Sequence, residues 1–173
     1  SVRSLIGGGH QVVGLARSDD AAAEIEAAGG EVVTGSLDDL DLLRDQAATS
    51  DGVVHMAFRH DVAFSGDYVG ATASDLRAIE AFGDGLDGSD RPLVIASGVP
   101  GIGGGRPGTE LDRPDVSTHP RVANAYAALA LADRGVRSVV IRFAPTVHGE
   151  GDQGFIATLV DIARERQVSG YLG

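Results

Sequence analysis

Residues 31–58, EVVTGSLDDLDLLRDQAATSDGVVHMAF, decide how this chain folds. The stretch opens on EVVT at 31–34 and closes on a second apolar run, GVVHMA at 52–57. Between them, a segment starting at Asp38 or Asp39 sets Leu40, Leu43 and Ala47 on one stripe. Helical side chains share a face every three to four residues and strand side chains every two, so the order is strand, helix, strand. Strands linked by helices in this way run parallel within a sheet, because each crossover returns the chain to the same end.

The same alternation continues in both directions. QVVGLA (11–16), PLVIAS (92–97) and SVVIRF (138–143) read as three more strands. Most are apolar at consecutive positions, the pattern of parallel strands covered on both faces. A helix is expected from Asp19 or Asp20 to about Ala28, closed by Gly29-Gly30. Another is expected over 67–86, with Val69, Leu76, Ile79 and Phe82 at helical spacing. A third starts from a Ser117 or Thr118 cap, tolerates Pro120 in its first turn and runs to about Asp133. A last one covers 155–166, apolar at Ile156, Leu159, Val160 and Ile162. Residues 1–6 read as the final turns of a helix stopped by three glycines. The fold class is therefore α/β, a doubly wound parallel sheet with right-handed crossovers.

Composition narrows the function. The 173 residues are one domain's worth, and 43% hydrophobic content is enough for a sizeable core. A net charge of −11 opposes nucleic-acid or anionic-membrane partners, and no run is long and apolar enough to span a bilayer. Without Cys there is no disulfide, thiolate metal site or cysteine nucleophile, which suits a reducing, cytoplasmic location. All 14 basic residues are Arg, so Schiff-base chemistry, a P-loop lysine and a Tyr–Lys pair are excluded within these residues. No H-x-x-x-H or H-E-x-x-H spacing occurs, so no metal is expected. Gly103, Gly105 and Gly108 fit G-x-G-x-x-G, but after the fourth strand rather than the first. Pro107 interrupts them and a polar loop follows, so they read as a loop near the substrate.

Several stretches, taken in order, resemble one family. GHQVVGLARSD (9–19) is similar to the second strand of a dinucleotide-binding unit. Residues 35–58 resemble a Gly-Asp-Leu-x-Asp turn, a helix, and a strand of the form D-x-V-x-H-x-A. RPLVIASG (91–98) and GVRSVVIRFAPTVHGEG (135–151) resemble the fifth and sixth strands, the latter through Arg142, Val147 and Gly149. The family is the extended short-chain dehydrogenase/reductases, the NAD-dependent epimerase/dehydratase group. The resemblance implies a Rossmann-like sheet of order 3-2-1-4-5-6. It also implies that the first strand and its glycine-rich turn lie outside this chain. Residues 1–150 would then be an incomplete NAD(P)-binding domain, and 151–173 the start of a substrate-covering segment. Alone, these 173 residues are expected to be unstable and to bind dinucleotide poorly, since a central ladder would lack its partner.

The resemblance also distributes roles. Arg17 and Ser18, at the end of the second family strand, suit a 2′-phosphate, so NADP is expected over NAD. The alternative is an exposed arginine paired with Asp19 or Asp20. Ser36 and Leu37 would lie against adenine, and Met56, Ala57 and Phe58 along the ribose–pyrophosphate channel. Ala96 would lie under the nicotinamide ribose, and Pro145 and Thr146 near the nicotinamide. The family's Tyr-x-x-x-Lys motif is absent: Pro120 aligns with the tyrosine and Asn124 with the lysine, leaving Asn124 a cofactor contact. Tyr126 lies on another helix face and reads as packing. Ser97 is the retained hydroxyl, and His148 is the foremost of three loop histidines, ahead of His60 and His119, as proton relay. The expected activity is NAD(P)-dependent oxidoreductase or epimerase chemistry on a small carbonyl or hydroxyl compound. A catalytically silent NAD(P)-binding sensor is the alternative. A homodimer is the expected assembly.

Overall fold

The computed structural model describes residues 2–99, 101–144, 149 and 154–170, with the backbone alone for Phe155. Five strands alternate with helices. They are α1 (Val2–Gly7), β1 (Val13–Ala16), α2 (Asp19–Ala27), β2 (Glu31–Thr34), α3 (Leu40–Thr49) and β3 (Val53–His55). Then come α4 (His60–Phe64), α5 (Tyr68–Leu86), β4 (Pro92–Ser97), α6 (Pro120–Ala130), β5 (Arg137–Arg142) and α7 (Phe155–Arg166). Short 3₁₀ turns at Val116–Thr118 and Leu131–Arg134 flank α6. Every strand pair is parallel. β1 pairs with β2, Val13 opposite Glu31. β4 lies between β3 and β5, with Val53 opposite Leu93 and Leu93 opposite Ser138. Among the described residues the two sheets share no ladder, so β1 and β3 each keep one edge without a strand.

The core lies where α3, α5 and α6 pack on the three-stranded sheet. Ile79, Leu86 and Leu93 are its fully buried large side chains, joined by Leu43, Phe82, Ile95 and Leu131. The opposite face is open: Val54 is 48% exposed, and Val139 and Ile141 are each 43% exposed. The consecutive apolar positions led to an expectation of cover on both faces, whereas the described residues cover one. α7 repeats the pattern, with Leu159, Val160 and Ile162 exposed. Val69 also departs from the expected stripe of α5 and points to solvent.

Two helix starts differ from the sequence reading. Ser18, not Asp19 or Asp20, caps α2 by accepting from the Ala21 amide at 3.3 Å. His119, not Ser117 or Thr118, caps α6 through Nδ1, which accepts from the Arg121 amide at 3.3 Å. Both satisfy first-turn amides that the helix itself leaves without partners. Arg91 does the converse at the other end. Its guanidinium donates to the carbonyls of Ala47, Ala48 and Ser50 at the end of α3, and to that of Gly85 in α5.

The contact between α3 and α5 has no room for a methyl group at Gly85. A Cβ there would sit 2.7 Å from the Ala47 Cβ and press on the Arg44 carbonyl oxygen. Gly85→Ala is therefore expected to destabilise the protein by about 1–3 kcal/mol, overpacking outweighing alanine's helix propensity. Thermal denaturation checks this; an unchanged or raised Tm contradicts it.

Candidate nucleotide cleft and the polar cluster beside it

Parallel strands send all their following loops to the same end of the sheet. Here the carboxyl ends of β1, β2 and β3 enclose a cleft of about 450 Å³. β1 contributes Leu15 and Arg17, the turn after β2 contributes Gly35, Ser36 and Leu37, and β3 is followed by Met56, Ala57, Phe58, Arg59 and His60. Arg17, Ser36, Leu37, Met56, Ala57 and Phe58, named from the sequence, thus share one cavity. Ser18 is spent on its helix cap. The Ser36 hydroxyl is held in its own turn, donating to Asp39 at 2.9 Å while the Asp38 amide donates to it at 3.2 Å.

Charge in the cleft is arranged as an alternating row. Arg17 Nη1 meets Asp61 Oδ2 at 2.9 Å, and Arg59 Nε meets Asp61 Oδ1 at 3.3 Å. Arg59 Nη1 reaches Asp38 Oδ2 at 2.7 Å, and Ser74 donates to Asp38 Oδ1 at 2.8 Å. Arg17 therefore pairs with Asp61 of α4, not with Asp19 or Asp20. The hydrogen bond from Arg17 leads the effects that draw the Asp61 carboxyl down to about 2. The Ser74 hydrogen bond, aided by Arg59 and Arg77, likewise lowers Asp38. Arg59 and Asp61 were not named from the sequence. Their partners lie 21 and 44 residues away, beyond the reach of local spacing.

A second polar group lies at the ends of β3 and β4. His55 Nε2 and Asp75 Oδ1 are 2.9 Å apart, both residues buried. Asn124 Nδ2 donates to Asp75 Oδ2 at 2.7 Å and to the Thr72 carbonyl at 2.9 Å. Both amide protons of Asn124 are thus used inside the fold, and its side chain is buried rather than presented to a cofactor. Arg121 Nε approaches Asp75 Oδ2 at 3.9 Å, while its Nη2 donates to the Ala96 carbonyl at 2.8 Å. The same guanidinium stacks 4.5 Å over the Phe58 ring, linking this group to the cleft. Tyr68 Oη and His119 Nε2 are 3.1 Å apart, and the Tyr68 ring lies 5.8 Å from that of Phe58. Ser97 closes β4, half-buried, next to Ala96. Tyr126 donates to the Pro114 carbonyl at 2.7 Å, the packing role expected for it. Pro145, Thr146 and His148 lie outside the described residues.

A larger cavity, about 630 Å³, opens between the loop after β4, α6 and β5, with Ile102, Glu110, Leu129 and Arg142 on its walls. Among the described residues, none of the expected site residues lines it. Gly103 and Gly105, at φ of 93° and 90°, turn this loop, and a 3₁₀ turn rather than a long helix follows. Among the described residues no group of three or more His, Asp or Glu could hold a metal ion, and no helix is long and apolar enough to cross a membrane.

These geometries agree with known folds. The chain superimposes on a UDP-glucose 4-epimerase of Thermotoga maritima with a TM-score of 0.66, at 16% identity, over 92% of this chain and 57% of that one. A dTDP-glucose 4,6-dehydratase of Streptomyces venezuelae, solved with NAD, gives 0.62 at 18% identity, over 95% and 58%. A Citrobacter triphenylmethane reductase complexed with NADP(H) gives 0.55 at 14% identity, over 82% and 44%. The fold is Rossmann-like. No family model matches the sequence. The chain is 42% identical over 173 residues to an uncharacterized protein of Schizosaccharomyces pombe, covering 99% of the chain and 58% of that protein. It is 36% identical over 172 residues to an uncharacterized protein of Saccharomyces cerevisiae, covering 98% and 57%. The chain thus spans little more than half the length of the curated relatives it matches.

The row of charges gives a pH expectation. A carboxyl whose folded pKa lies below its unfolded value stabilises above the unfolded value and loses that contribution as pH falls through the folded one. The Arg17–Asp61 tie should hold down to about pH 3 and release near 2. Carboxyl-detected NMR titration of Asp61 should give a midpoint near 2 that rises toward the ordinary aspartate value in Arg17→Ala. A midpoint indifferent to Arg17 contradicts the assignment.

Proposed function

We propose that the protein binds a nicotinamide dinucleotide in the cleft at the ends of β1, β2 and β3. With it, the protein acts as an oxidoreductase or epimerase-like enzyme on a small carbonyl or hydroxyl compound. The observation that carries this reading is the convergence of residues from three strand ends on one cleft, at the edge of a parallel sheet where such ligands bind. The donor set suits the adenosine end. Leu15, Leu37, Met56 and Ala57 offer apolar surface to a base, and Arg17 and Arg59 offer forked cations to phosphate. The bound nicotinamide would supply hydride chemistry. The chain's own part is to hold the adenosine phosphate, set Phe58 and Arg121 at the ends of β3 and β4, and exclude water between them.

NADP(H) is the preferred form in this reading. Asp61 sits between two guanidiniums, with one carboxylate oxygen on each, where a 2′-phosphate could take its place. The buried use of Asn124 favours the second reading, a catalytically silent NAD(P)-binding sensor, because that side chain does not take over the missing lysine's role.

Fluorescence titration of the full-length protein separates the outcomes. Kd for NADPH should be at least about tenfold below that for NADH, charge-assisted bonds to phosphate being worth about 1.5–3 kcal/mol. Arg17→Ala and Arg59→Ala should each erode that preference, and Asp61→Asn should tighten NADPH alone. Equal affinity for the two cofactors, or tighter NADH, overturns the NADP assignment. No binding of either overturns the function.

A further inference from the structure

From the contact of Tyr68 with His119 we infer an acid–base pair that stands in for the absent Tyr-x-x-x-Lys motif: the Tyr68 hydroxyl is the proton donor and His119 Nε2–H holds the phenolate oxygen it leaves. The inference rests on the nicotinamide reading above for its hydride, but not for its geometry.

Three observations carry it. First, His119 Nδ1 is committed as an acceptor, since it caps α6 by taking the Arg121 amide proton at 3.3 Å. An imidazole with Nδ1 accepting carries its proton on Nε2. The 3.1 Å contact is then Nε2–H donating to Tyr68 Oη, not the reverse. The phenol's own proton is left free to be given away. Second, the pair stands beside the cleft. The Tyr68 ring is 5.8 Å from Phe58, which lines it, and Arg121 bridges Phe58 to the Ala96 carbonyl at the end of β4. Third, the charged surroundings are mixed as a proton donor needs. Arg121 of α6 favours the phenolate, while partial burial and Asp75, on α5 with Tyr68, favour the phenol; together they raise Tyr68, burial leading. An unmade phenolate at rest and a stabilised one during transfer are both provided for.

In the forward direction the Tyr68 O–H bond breaks and a new O–H bond forms on the carbonyl oxygen of a substrate. A bound reduced nicotinamide would supply the hydride that the carbonyl carbon takes, becoming oxidised as the substrate becomes an alcohol. The phenolate, held by His119 Nε2–H, regains its proton from solvent.

The test uses the full-length protein labelled with [¹³Cζ]tyrosine. The Tyr68 resonance is assigned by its loss in Tyr68→Phe and titrated in wild type and in His119→Asn. Asparagine retains the α6 cap but is too short to reach Tyr68, so folding is preserved. The Tyr68 midpoint should rise by about one pH unit or more in His119→Asn, the value of one hydrogen bond to a charged oxygen. A fall would mean that Tyr68 donates to His119, and no change would mean that the contact carries nothing; either overturns the pair. NADPH and 4-nitrobenzaldehyde probe the donor role. Turnover should fall at least about 100-fold in Tyr68→Phe with Kd for NADPH within about twofold of wild type. Equal rates in the two proteins, fast or absent, overturn that role. Loss of NADPH binding by wild type instead overturns the functional reading, while the titration still judges the pair.

Discussion

Parallel pairing is the constraint from which the rest follows. Strands joined by helical crossovers must all point the same way, so every residue that follows a strand is delivered to one end of the sheet. That is why Arg17, Ser36 and Phe58, far apart in the chain, meet in one cleft of about 450 Å³. It is also why Ala96, at the end of β4, lies within reach of Arg121 at the start of α6. The chemistry of the individual side chains matters only because this geometry brings them together.

What holds the geometry is uneven across the molecule. Beneath β3, β4 and β5 the core is dense, and Arg91 ties the ends of α3 and α5 through four carbonyls. Deeper in, His55, Asp75 and Asn124 form a buried polar chain in which Asp75 accepts from both sides. Such a chain is costly to break, since removing the carboxylate would take a partner from His55 Nε2 and leave Asn124 only its bond to the Thr72 carbonyl. The opposite face of the sheet, with Val54, Val139 and Ile141, has no cover among the described residues. Buried apolar surface contributes about 25 cal/mol per Å², so this face withholds stabilisation that the other face supplies.

Much of this was legible in the sequence. Consecutive β-branched residues marked EVVT and PLVIAS so clearly that β2 and β4 have the expected ends. The doubly wound class followed from the strand–helix alternation, while the cleft residues Arg17, Leu37 and Met56 came from the family resemblance laid over the strand ends. Caps were less legible, because Ser18 and Asp19 are both good acceptors and only the backbone path decides which reaches the Ala21 amide. α4 went unread: HDVAF is five residues, too short for a periodic signal. Pairings across the fold were beyond reach. Arg17 had acidic neighbours in sequence yet binds Asp61, and nothing near Tyr68 in the chain announces His119, 51 residues on.

The central claim is that the cleft between the ends of β1, β2 and β3, and not the larger cavity beside the loop after β4, receives the nicotinamide dinucleotide. The most direct measurement is the backbone amide spectrum of the full-length protein on titration with NADPH. Saturable shifts at residues 15–17, 35–37 and 56–60, with little change at 102–110, are predicted. Shifts centred on 102–110, or none at any ligand concentration, would contradict it.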